Sequence, residues 1–118
     1  MTIEELRIRI DALDRQLVEL LSERARAAQM IGNLKAATSL PVYEPDREKI
    51  IYANVRAANK GPLPDIELTH IYERIIDVMR ALQRNELASQ RSAQAAQAEG
   101  KQQRNIAGTQ TPETGKKQ

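Results

Sequence analysis

Apolar residues open the chain at Ile3, Leu6, Ile10, Leu13, Leu17 and Leu20, and the same three-four beat resumes at Ala27, Ile31 and Leu34. That spacing lines one face of an α-helix. It predicts a single helix over residues 2–36, about five heptads without a proline and roughly 50 Å long. Thr2 followed by Glu5 forms the capping-box pattern expected at its start. "TSLPVYEPD", residues 38–46, carries two prolines and reads as a loop. Pro45 suits the first turn of a second helix reaching about Asn59, with Asp46 and Glu48 complementing its N-terminal dipole. Ile50, Ile51, Val55 and Ala58 face inward there. "KGPLPD" stops this helix, and a third begins near Asp65. Its inner face is Leu68, Ile71, Tyr72, Ile75, Ile76, Met79 and Leu82, and it is expected to fade around Leu87.

From Ala88 the chain turns to Gln, Ala, Ser, Lys, Gly and Thr, with Ile106 the single large aliphatic residue. Such a segment buries too little apolar surface to offset its ordering entropy. Residues 1–87 are therefore expected to form the domain. Residues 88–118 read as a mostly disordered tail, with fraying helix over its Ala-rich start. The fold class is all-α with three helices per protomer. One long helix and two shorter ones make a thin layer without a closed core, so the long helix needs a partner. A second copy is the commonest partner, and an intertwined homodimer is expected.

Composition narrows the chemistry. The 118 residues include no Cys, one His, no Phe and no Trp. Disulfides and thiolate metal sites are excluded, and no metal or cofactor is expected. His70 alone cannot serve Ser-His-Asp catalysis or most zinc sites. The charged N-terminus, "MTIEELRIRID", lacks the apolar region of a secretory signal, and no run approaches the length of a membrane span. The expected compartment is the cytoplasm, with no membrane partner. The pI near 9.1 suggests nucleic acid at first sight. However, residues 88–118 hold five basic and two acidic residues, which leaves 13 basic and 14 acidic in 1–87. The predicted domain is nearly neutral, so no nucleic-acid-binding face is expected.

The beat missing from the first helix falls on Arg24. A buried-face arginine can snorkel, or pair with Glu23 or a glutamate of a partner chain. It can also bind an anion. Lys35 lies eleven residues on, about 20° from the same helical side after three turns. Taken alone, it could simply complement the helix C-terminus. Arg47 precedes Ile50 and Ile51 by three and four residues and tends inward, while Glu48 could be only a first-turn acid. Gln83 continues the Ile76 and Met79 face, where a buried amide needs partners. Together these residues put cations, a carboxylate and an amide on the inner faces of three helices. An apolar core has no use for that set, but a small polyanion does. Arg7 stands 17 residues before Arg24, about 25 Å along the helix. It can join such a site only from an antiparallel second subunit; otherwise it is an exposed arginine near Glu4 and Asp11.

The ordered patterns "LR-x-x-ID-x-LD-x-x-L-x-x-LL-x-ER", "PVYEPDRE" and "IYERIIDVMRALQ", with a lysine eleven residues after Arg24, resemble the all-helical chorismate mutases. The resemblance spans residues 3–83. It implies an intertwined helical dimer that converts chorismate to prephenate without cofactor or metal, in aromatic amino acid biosynthesis. By position, it implies that Arg24 and Arg47, with Arg7 of the partner subunit, bind the two carboxylates. Lys35 and Gln83 would face the ether oxygen, and Glu48 with the backbone near Glu44 would hold the ring hydroxyl. Met79 stands where the family often has a serine on a carboxylate; losing such a bond costs about 0.5–1.5 kcal/mol. Glu44 replaces the commoner aspartate. Two rivals remain at this stage. An isochorismate pyruvate-lyase uses the same helices, although its relatives carry an apolar residue where Glu48 stands. A non-catalytic dimeric helical module would explain the apolar stripe but not the cations within it. A partner enzyme of the aromatic pathway cannot be read from the tail.

Overall fold

The computed structural model describes residues 1–117, with side chains over 1–100. Three helices follow one another: α1 (Ile3–Lys35), α2 (Pro45–Ala58) and α3 (Asp65–Lys117). The cap of α1 is the one the sequence predicts. Thr2 Oγ1 accepts from the Glu5 backbone N–H at 3.1 Å, and the Glu5 carboxylate accepts from the Thr2 N–H at 3.2 Å. Two otherwise orphaned donors are thereby satisfied. At its other end the Ala36 N–H is shared between the Gly32 and Asn33 carbonyls.

Asn59 organises the connection between α2 and α3. Its side-chain amide donates at 2.7 Å to both the Leu63 carbonyl and the Asp65 carboxylate, while its Oδ1 accepts from the Gly61 N–H. Gly61 has φ of +75°, in the left-handed region that glycine enters without a Cβ penalty. One side chain thus closes the turn and sets the start of α3.

α3 packs against both α1 and α2. The buried residues cluster at one end, where Ala28 and Gly32 of α1 meet Ile76 and Met79 of α3. Gly32 permits the closest approach: a Cβ there would stand 2.7 Å from the Gln83 carbonyl oxygen and 2.9 Å from its Cα. The Cα trace spans only 15 Å along its shortest axis. The stripe residues Leu6, Ile10, Leu13, Leu17 and Leu20 remain 44–61% exposed. These side chains form an uncovered apolar stripe along the N-terminal half of α1.

α3 does not fade near Leu87 but continues, and its described side chains over 88–100 are nearly all exposed. Ala, Gln, Arg and Glu all favour helix intrinsically, so no packing is required to continue the last turn. The expectation of a disordered tail beyond residue 100 lies outside the described side chains.

Candidate active site

The C-terminal half of α1 supplies the centre of the site. Lys35 is only 4% exposed, the one buried charged residue among those described. Its ammonium does not cap the helix end, as a last-turn lysine could. Instead Nζ donates to Gln83 Oε1 at 3.0 Å and to the Val42 carbonyl at 3.4 Å, with Glu44 Oε2 at 3.5 Å. The loop between α1 and α2 is folded back to make this possible. Thr38 Oγ1 donates to the Lys35 carbonyl and accepts from the Leu40 N–H. Glu44 occupies the N-cap position of α2 without capping it, so its carboxylate is free to approach Lys35.

The Lys35–Gln83 contact also orients the amide. An ammonium can only donate, so the oxygen of Gln83 must face it, which leaves the NH₂ end as the available donor. Gly32 sits one turn before Lys35 and lets α1 approach the Gln83 backbone closely enough for that bond.

Two adjoining cavities open beside this pair, of about 60 Å³ and about 380 Å³. Both are lined by Arg24, Glu44, Arg47, Ile51 and Gln83; the smaller also reaches Glu48, Met79 and Arg80. Arg24 is half-buried and Arg47 exposed. Among the described residues the ion pairs are Lys35–Glu44, His70–Glu67, Arg80–Glu48 and Arg80–Asp77. Neither Arg24 nor Arg47 enters one, so the pairing of Arg24 with Glu23 that would explain it structurally is not formed. Two guanidinium groups therefore border the cavities without an ion-pair contact among the described residues, Glu44 being turned to Lys35 and Glu48 to Arg80. His70, by contrast, is an exposed side chain on the outer surface of α3.

Arg24, Lys35, Glu44, Arg47, Glu48, Met79 and Gln83 are thus brought together by one chain. Met79 is buried and forms apolar wall. Arg7 is not brought in: it is exposed on the N-terminal half of α1 and lines neither cavity. The residue that sequence reasoning missed is Arg80. Its guanidinium forks onto Glu48 at 2.7 and 2.8 Å, and its Cζ stands 5.1 Å from the centre of the Tyr43 ring. The hydrogen bonds to Glu48 raise its pKa above the ordinary arginine value, against an opposing effect of burial.

The family model for chorismate mutase type II matches residues 6–84. The chain belongs to that family. Its likeness extends to the bifunctional chorismate mutase/prephenate dehydratase of Aquifex aeolicus, 37% identical over 86 residues, which covers 70% of this chain and 24% of that protein. The chain therefore spans about a quarter of the length of that relative. Among solved structures, the Thermus thermophilus chorismate mutase (Form II) superposes with a TM-score of 0.68 at 36% identity, covering 70% of this chain and 93% of that one. The Helicobacter pylori chorismate mutase in complex with prephenate gives 0.66 at 34% identity, covering 73% and 93%. The all-helical class read from the apolar periodicity agrees with both structures.

Proposed function

We propose that this chain converts chorismate to prephenate in aromatic amino acid biosynthesis, working as a homodimer in the cytoplasm. The observation that carries the proposal is the pair of guanidinium groups, Arg24 and Arg47, which form no ion pair among the described residues and lie beside the buried Lys35–Gln83 bond. A cavity of about 380 Å³ lies within the range usual for small-molecule sites, ~300–1,000 Å³. Chorismate is a dianion with one ether bond to break and one hydroxyl, which matches the charges and donors available.

The rearrangement breaks the C–O ether bond while a C–C bond forms in the same concerted step. No protein nucleophile or obligatory proton transfer is involved. Arg24 and Arg47, with Arg7 of the partner subunit, would hold the two carboxylates and fold the enolpyruvyl chain over the ring. That restriction removes conformational freedom before reaction. Lys35 Nζ and the Gln83 NH₂ would meet the ether oxygen as negative charge grows on it. Donors fixed in advance in a site shielded from water stabilise such charge without reorganising. Glu48, with the backbone near Glu44, would accept the ring hydroxyl. Met79 offers no hydrogen bond to a carboxylate, so substrate binding rests more heavily on the arginines.

The dimer is supported by the exposed stripe of α1 and by the position of Arg7, which is outside its own chain's cavity. Incubation of the purified protein with chorismate should yield prephenate. Salicylate from isochorismate instead would make it a lyase. Failure to turn over either substrate, with no thermal stabilisation by a bicyclic transition-state analogue, would leave a non-catalytic helical module.

A further inference from the structure

Arg80 borders the smaller cavity, yet its hydrogen bonds leave it little freedom to act as another anion-binding group. Nη2 donates to Glu48 Oε1 at 2.8 Å and Oε2 at 2.7 Å, and Nε donates to Oε2 at 3.1 Å. On the other side Nη1 donates to Asp77 Oδ1 at 3.2 Å, and Tyr43 lies against the guanidinium plane. Reaching a substrate carboxylate would require breaking most of these contacts. The arginine is held for another purpose.

That purpose is visible in what it does to Glu48. A glutamate in the first turn of α2 has three rotatable bonds, and Arg24 and Arg47 line the same cavity. Left unrestrained, its carboxylate could fold onto those cations and neutralise the anion site. The fork of Arg80 holds both oxygens instead, anchoring α2 to α3. An ionised carboxylate offers about four acceptor positions. Arg80 occupies three of them, two on Oε2 and one on Oε1. One position remains, on Oε1.

We propose that Arg80 is a positioning residue: it aims Glu48 so that Oε1 keeps a single acceptor site for the ring hydroxyl of the substrate. The proposal rests on the chorismate reading above. Lysine cannot replace it, because a point charge does not fix both oxygens of a carboxylate as a planar fork does.

A hydroxyl bond is made equally in the ground and transition states, so its loss raises KM and spares kcat. Steady-state prephenate formation by the full chain should therefore show Arg80→Gln raising KM roughly tenfold, with kcat within about threefold. Arg80→Lys should behave similarly. Added to Glu48→Gln, the Arg80→Gln change should raise KM less than about twofold further, because the two residues act as one unit. A fall in kcat at unchanged KM, independent effects in the double variant, or unfolding of both Arg80 variants would make Arg80 merely a structural tie and overturn the proposal. A wild-type chain that forms no prephenate would instead remove the underlying reading.

Discussion

The two halves of α1 share one helix and one apolar beat, yet they meet different fates. From Ile3 to Leu20 the stripe is exposed and purely hydrophobic. From Arg24 to Lys35 it carries two cations, and it is there that the helix is buried against α3 at Ala28, Gly32 and Lys35. The single chain thus completes its packing where the charges are and leaves its oiliest surface uncovered. Burying a lysine needs partners from the same chain, which Gln83, Val42 and Glu44 provide. Burying leucines needs only another apolar surface, and a second copy offers one with the same pattern.

If the contrast is right, the two halves should fail differently. The largest effect is expected from Leu13→Glu combined with Leu17→Glu. Sedimentation should show a species near the 13.3 kDa of one chain, and prephenate formation should fall by roughly 10³-fold or more as Arg7 of the partner subunit is lost. An unchanged dimer, or an active monomer, would show that this face of α1 does not join two copies. In the charged half, Lys35→Ala should lower turnover by about 10² or more while the dimer persists. Near-normal turnover would remove the lysine from the ether oxygen.

A milder change probes the packing that supports the charged half. In Gly32→Ala the new Cβ would meet the Gln83 backbone at 2.7–2.9 Å, and backbone cannot swing aside. A destabilisation of about 1–3 kcal/mol is expected by thermal or denaturant unfolding. Turnover should drop about tenfold as Gln83 shifts. The smallest effect concerns Tyr52, whose pKa is raised above the ordinary 10.0, chiefly by burial and then by the carboxylates of Glu73, Glu48 and Asp77. A raised phenol favours the neutral form in the fold. Its contribution to stability is complete below about pH 10 and is lost as the pH rises beyond it. Phenolate absorbance compared between the wild type and Tyr52→Phe should place this titration above that of a free tyrosine.

What could be read in advance follows from how local each signal is. The capping box of Thr2 and Glu5, the break at Pro41 and Pro45, and the start at Asp65 depend on neighbours within a turn, and all three hold. Arg24, Lys35 and Gln83 stood out because polar groups interrupt an apolar period, whereas Arg47, expected to tend inward, is exposed although it lines both cavities. Arg80 did not stand out, because it lies beside that period and its meaning comes from Glu48, 32 residues away. The helix past Leu87, expected only as fraying, has the opposite basis: a polar composition signals a lack of burial, but it does not forbid helix when nothing in 88–99 is a glycine or proline.

The bond between Lys35 and Gln83 has a consequence beyond affinity. Because the ammonium has nothing but hydrogens to give, the carboxamide has one permitted facing, settled before any ligand arrives. A carboxylic acid at that place would need a proton of its own before it could offer one, tying catalysis to acidity. The amide carries its hydrogens permanently, so this donor is built into covalent structure and needs no proton from the medium around it.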